Sequence, residues 1–230
     1  MKHLILAALF LSAAPAAAAE RNFGVSGFDR VRVDGDYRVT LTVGAPPFAK
    51  AEGSMRALDP VDIVVEGRTL IVRTKKSAAW SGFPGEPAGP VEVLIGTHDL
   101  SAAFVNGAGS LAINQVRGLK FEASAQGAGS IAIDRVEVDQ LQIALAGAAS
   151  ARLAGRAGRM TAVIRGTSAL DGEKLVVKDA AIGAQGPAIV KLTATGTAKV
   201  DAIGVAAVTL TGGPSCIVTT KGSASVSGCR

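Results

Sequence analysis

Between Gly107 and Val226 the chain writes one short phrase seven times: a glycine, three small or apolar residues, then usually an aliphatic one. The phrases begin at Gly107, Gly127, Gly147, Gly166, Gly186, Gly204 and Gly222, with spacings of 20, 20, 19, 20, 18 and 18 residues. A period this steady, in a chain poor in helix signals, constrains the fold to a stacked solenoid in which each repeat buries its apolar face against its neighbours.

Setting each glycine as position zero gives the cross-section. Four and six places on lie Leu111/Ile113, Ile131/Ile133, Ala151/Leu153, Leu170/Gly172, Val190/Leu192, Val208/Leu210 and Val226/Gly228. Ahead of the glycine, inward candidates fall six, four and two places upstream: Phe121/Ala123/Ala125, Leu141/Ile143/Leu145, Met160/Ala162/Ile164, Ala180/Ile182/Ala184, Ala198/Val200/Ala202 and Cys216/Val218/Thr220. Alternation of apolar with polar or small residues is the period of a half-buried strand. A weaker third segment carries Val116, Val136/Val138 and Leu175/Val177. Three short strands in about 20 residues make one turn of a right-handed parallel β-helix. The glycines then sit at a corner where the chain turns sharply and positive φ is expected.

Residues 20–98 are β-rich without the glycine register and read as irregular first coils and a cap; residues 99–230 are the regular coils. Together they form one expected domain, with a separate small β-sandwich for the first part as the alternative. Strands are expected at FDRVRV from Phe28, YRVTLTV from Tyr37, DIVVEG from Asp62, TLIVRT from Thr69 and PVEVLI from Pro90, with turns at Gly35-Asp36 and Gly67-Arg68.

Residues 1–19 place a lysine ahead of an apolar run that ends in small alanines, the layout of a secretory signal peptide cleaved after Ala19. No cysteine follows that run, and no later stretch is apolar enough to span a bilayer, so the reading is a periplasmic or secreted protein. The formal charge of +5 comes from scattered residues, and aromatics are 4% of the chain, which argues against a nucleic-acid groove. Cys216 and Cys229 are the two cysteines, and in an oxidising compartment they read as a disulfide that closes the last coil. Over so short a loop a bridge contributes roughly 3 kcal/mol on the chain-entropy model.

The inventory yields no catalytic, cofactor or metal residues. His98 is the one histidine beyond the leader, with no ligand cluster around it and no serine tied to it as a nucleophile. The GAGS phrases lack the Lys-Ser/Thr of a phosphate loop and the regular aspartates of a calcium-binding repeat. Asn114, Asp134 and Glu173 share the seventh place after their glycines, but Ala154 interrupts the column, so it reads as a ridge of solvated turns. The insert from Ser77 to Gly89 holds Trp80 and Phe83, read either as a platform for a sugar or partner or as aromatics folded back over the core.

The order of blocks resembles a known family. GFDRVRVDGDYRVTLTVGAPPFAKAEG, then DIVVEGRTLIVRT, PVEVLIGTHDL, GAGSLAI and GAGSIAI are similar to the bacterial GIN domain, described as the head of putative auto-transporter adhesins, over about Gly27 to Gly222. The resemblance implies an exported β-helical domain with a surface or envelope role and supplies no catalytic motif. The expectation is a non-enzymatic, adhesin-like module for a glycan or envelope protein. Two alternatives stand: a carbohydrate-active enzyme on the Asp134/Glu173 side, and a structural module whose outer faces form a homo-oligomer.

Overall fold

A computed structural model describes residues 19–75 and 89–230. Most of the expected leader, and the insert's Trp80 and Phe83, lie outside the described residues. The chain is a parallel β-solenoid of about six turns, as the glycine period predicts.

From the first regular phrase onward the elements run β8 (Ala102–Gly107), β9 (Ser110–Ile113), β10 (Val116–Gly127), β11 (Ser130–Gly147), β12 (Ser150–Gly166), β13 (Ala169–Gln185), β14 (Ile189–Gly204), β15 (Ala207–Thr211), β16 (Ser215–Gly222) and β17 (Ser225–Ser227). The expected second, third and first strands of successive coils merge into unbroken stretches such as β11, which bends around two corners. Alternate residues point inward on each side. One side stacks Ala103, Ala123, Ile143, Ala162, Ile182, Val200 and Val218 in register. A second stacks Leu111, Ile131, Ala151, Leu170, Val190, Val208 and Val226. The third begins with Val116, Val136 and Gly155. Large side chains sit beside small ones within a strand: Phe121 and Met160 are fully buried beside Ala123 and Ala162, which keeps a narrow interior filled.

All seven phrase-opening glycines have positive φ, from +76° at Gly166 to +109° at Gly107. Stacking adds a second constraint. A Cβ on Gly127 would lie 2.7 Å from the Gly107 carbonyl oxygen, which already accepts the Ala128 N–H at 2.8 Å. At Gly107, Gly127, Gly147, Gly166 and Gly222 a side chain is therefore excluded on both grounds, while at Gly186 the nearest backbone atom is 3.5 Å from an added Cβ and the positive φ alone selects glycine.

The N-terminal part follows the same plan out of order. Its elements are β1 (Ala19–Phe23), β2 (Arg30–Asp34), β3 (Arg38–Val43), β4 (Phe48–Gly53), α1 (Met55–Leu58), β5 (Val61–Glu66), β6 (Thr69–Thr74) and β7 (Glu92–Thr97). Strand β2 pairs with both β6 and β8, and β3 with both β7 and β9, all parallel. The β2–β3 coil is thus inserted between the outermost β6–β7 coil and the first regular coil. Gly35, at φ +123°, heads the corner column: its carbonyl oxygen accepts Ala108 N–H at 3.1 Å and sits 2.8 Å from a Cβ on Gly107. Val31, Val33, Val39 and Leu41 fill the matching inward places. This is an eighth copy of the repeat, and its 72-residue distance from Gly107 hides it from a period search.

The excursion between these coils caps the end. Strand β4 runs antiparallel to β7, and β1 antiparallel to β4. Lys50 on β4 bridges Glu20 and Glu52 at 2.8 Å each. Alanines carry the buried face of β4 (Ala49, Ala51), which weakens its strand signature and explains why neither β4 nor β1 was expected. Ser54 caps α1, accepting the Ala57 N–H at 3.1 Å, and Ala57 and Leu58 close over the core. The chain then crosses the β2–β3 coil to reach β8. The buried Thr97 hydroxyl donates to the Phe28 carbonyl at 2.6 Å, and Ser101 bonds Asp29. One hydrophobic cluster runs from Phe28 to Leu210.

At the far end Cys216 and Cys229 are disulfide-bonded. The expected inward row of the last coil is only half realised. Cys216 packs against the core, but Val218 is 43% exposed and Thr220 is exposed. Among the described residues no strand stacks beyond β16 and β17, so the row has nothing to bury against.

Candidate functional site in a coil groove

The outward column of the second side reads Ala112, Ala132, Arg152, Asp171, Lys191 and Thr209 on consecutive coils. Where this side turns into the third, coil length varies. Ile133 pairs with Leu153 and Val136 with Gly155, so the coil opened by Gly147 spends one residue fewer at that corner. The next coil regains it, since Arg152 pairs with Asp171 but Ala154 with Lys174. Gly155 permits the tight corner: it has φ +119°, and a Cβ there would run into the Val136 backbone.

The short corner leaves a dent. It is a groove of about 500 Å³, floored by Ala132, Ile133, Leu153 and Ala154 and rimmed by Asp134, Arg152, Asp171, Glu173 and Lys174. Ala154, which interrupts the acidic column in sequence, is the floor; Asp134 lies on one wall and Glu173 with Lys174 on the other. Arg152 meets Asp171 at 3.6 Å, and Lys191 meets Glu173 at 2.9 Å. The Glu173 carboxylate holds the Lys191 ammonium above its ordinary range. Asp134 and Lys174 have no ion-pair partner among the described residues. The groove thus presents both signs of charge over a small apolar floor, suited to a polar ligand held by several exposed contacts.

Asn114, the first member of the column, acts on the fold instead. Its side-chain oxygen accepts the Val43 N–H at 2.8 Å and so ends β3. Of the two carboxylates of the enzymatic alternative, Glu173 is paired with Lys191, while Asp134 on the opposite wall has no ion-pair partner among the described residues. Among the described residues no three His, Cys, Asp or Glu side chains gather as a metal site would need. The sequence signal that was missed is Arg152, whose place in the outward column needs the strand register to be seen.

A second hollow, about 580 Å³, lies at the capped end between Asp36, Tyr37, Arg38, Ala57, Pro60, Thr74, Gly89, Pro90 and Val91. The buried Tyr37 hydroxyl hydrogen-bonds Thr74 at 2.7 Å, and burial pushes the phenol above its ordinary range. By register, Val72 matches Val33 and Glu92 matches Arg38, and in sequence the two strands of the outermost coil are joined by the link from Thr74 to Pro90. Trp80 and Phe83 belong to that link and lie outside the described residues. His98 borders a smaller pocket with Asp29 and Arg68 at the chain crossing.

Comparison with solved structures gives the same architecture. A putative adhesin from Bacteroides fragilis superposes with a TM-score of 0.82 at 15% identity, covering 92% of this chain and 96% of its own. A putative lipid binding protein from Parabacteroides distasonis gives 0.71 at 16% identity, covering 94% and 98%. A putative adhesin from Parabacteroides merdae gives 0.69 at 14% identity, covering 94% and 98%. At these identities the likeness speaks for the fold. No curated protein matches the sequence. The family model described as "Putative auto-transporter adhesin, head GIN domain" matches residues 27–214, and with that span the chain belongs to the GIN-domain family.

Proposed function

We propose that this protein is an exported, non-enzymatic binding module of the bacterial cell envelope, adhesin-like in action, which holds an envelope glycan or a polar protein surface in the groove over Ala154. The observation that carries the reading is the groove itself, a dent one coil wide where Asp134 and Lys174, without an ion-pair partner among the described residues, stand beside the Arg152–Asp171 and Lys191–Glu173 pairs. The family description supports adhesion, the disulfide supports an oxidising compartment, and no described helix is long and apolar enough to cross a membrane. Exposed ion pairs contribute little to stability, so a ligand can exchange with them at small cost.

The test is a glycan array joined to a pull-down from envelope extract, run with mature protein and with a triple variant, Asp134→Ala, Arg152→Ala and Lys174→Ala. A ligand retained by the native protein and lost by the variant is expected. A ligand retained equally by both would move the site elsewhere. No ligand, together with no envelope phenotype on deletion, would contradict the reading.

A further inference from the structure

We propose that the solenoid self-associates through its C-terminal edge, strand β16 pairing antiparallel with β16 of a second copy of this chain about a two-fold axis at Val218. Among the described residues β16 pairs only with β14, so alternate N–H and C=O groups along its eight residues point away from the described chain without a strand partner there. A flat edge of this kind recruits another strand unless charge, proline or a cover blocks it. The two ends of the solenoid differ in that protection. At the capped end the outer strands carry Glu20 and Arg21 in β1, and Asp62 and Glu66 in β5, over which Arg73 is paired. Strand β16 reads SCIVTTKG, with Lys221 its one charge, and exposes Ile217 at 70% and Val218 at 43%. Val218 belongs to the inward row below Val200, so its exposure marks a core layer left open.

The strand is complementary to itself. With Val218 opposite Val218 of the second copy, the pleat keeps inward residues on the inner side of both molecules and sets Ile217 against Thr219 and Ser215 against Lys221. β-Branched pairs of this kind favour cross-strand packing. The two Lys221 side chains stand roughly 20 Å apart at strand spacing, beyond a physiological screening length of about 8 Å, so they do not oppose each other. A two-fold contact needs only this one patch and closes on itself, whereas head-to-tail stacking would press it against the charged strands of the other end. The inference is independent of the groove, which lies several coils away, and it differs from association through the outer faces.

The test is sedimentation velocity on the mature, oxidised protein from low to high micromolar concentration. Native protein is expected to double its mass as concentration rises. The double variant Ile217→Lys with Thr219→Lys, both side chains exposed and outward, is expected to stay monomeric with an unchanged melting curve. Ile189→Lys with Val205→Lys, on exposed apolar positions away from the edge, is expected to associate as the native protein does. Should the β16 variant fail to fold, amide exchange of native protein decides: β16 amides must gain protection with concentration. A native protein that stays monomeric, an association untouched by the β16 variant, or β16 exchange that ignores concentration would each overturn the proposal.

Discussion

The carbonyl oxygen of Gly127 lies 2.7 Å from where a Cβ of Gly147 would stand, and it accepts the N–H of Ala148 at 2.7 Å. Gly147 is thus held by two demands, a positive φ of its own and the backbone of the coil before it. Gly67, in the turn between β5 and β6, separates the two: its φ is +64°, but nothing lies within 4 Å of an added Cβ. Gly67→Ala is expected to cost about 1 kcal/mol for its backbone conformation alone. Gly127→Ala is expected to cost about 3 kcal/mol or more, since the backbone must also part. Denaturant unfolding of the two variants measures the difference; equal costs would mean that stacking contributes nothing.

The chain crossing rests on Asp29. Its carboxylate accepts the Ser101 hydroxyl at 2.8 Å and pairs with Arg68 at 2.8 Å, while its carbonyl accepts Ser101 N–H at 2.7 Å. Ser101→Ala is expected to lose about 1 kcal/mol, and Asp29→Ala about 2 kcal/mol, because charge-assisted bonds count for more and the Arg68 pairing is lost with the carboxylate, while the Ser101 hydroxyl keeps the Asp29 carbonyl as an acceptor at 3.0 Å. Thermal melts of both variants check the order.

Asp179 supplies a pH signature. The Thr197 hydroxyl donates to its carboxylate at 2.7 Å and the Thr197 N–H at 3.3 Å, and these bonds, with Lys178 and Arg159 nearby, hold its pKa below the ordinary aspartate value. A depressed folded pKa contributes stability that is present above the unfolded value, about 3.9, and is lost as pH falls through the folded one. In an NMR titration, Thr197→Val should raise the Asp179 midpoint toward the ordinary value. No change would show that the threonine does not set it.

The disulfide spans 13 residues and closes a coil whose inward row is half open. Cys229→Ser is expected to lower stability by up to roughly 3 kcal/mol, felt as local fraying in β16 and β17 instead of global unfolding. Hydrogen exchange should show faster amides there and unchanged ones in β11 and β12. Loss of protection throughout would mean that the bridge supports the whole stack.

Sequence periodicity exposed the regular coils because every coil repeats one small-residue corner and the same inward places, from Leu111 to Leu210. It missed the coil headed by Gly35, since its neighbours in space are distant in sequence and the order of coils is set by a chain crossing that no local pattern encodes. It read Ala154 as a break in an acidic column, where the register makes it the floor of a groove; a missing residue at one corner is invisible until strands are paired. It placed Val218 in the core, which holds only where another coil follows. The α1 turn and β4 escaped because a four-residue helix and an alanine-rich strand carry little signal.

The central functional claim is that the groove over Ala154 is the binding surface. The most direct measurement fills it: Ala154→Trp, an outward position paired with Lys174, titrated against the best ligand from the glycan array or pull-down. The account expects affinity to fall at least tenfold, about 1.4 kcal/mol, with the melting temperature unchanged. Undiminished affinity in a folded Ala154→Trp protein would contradict it.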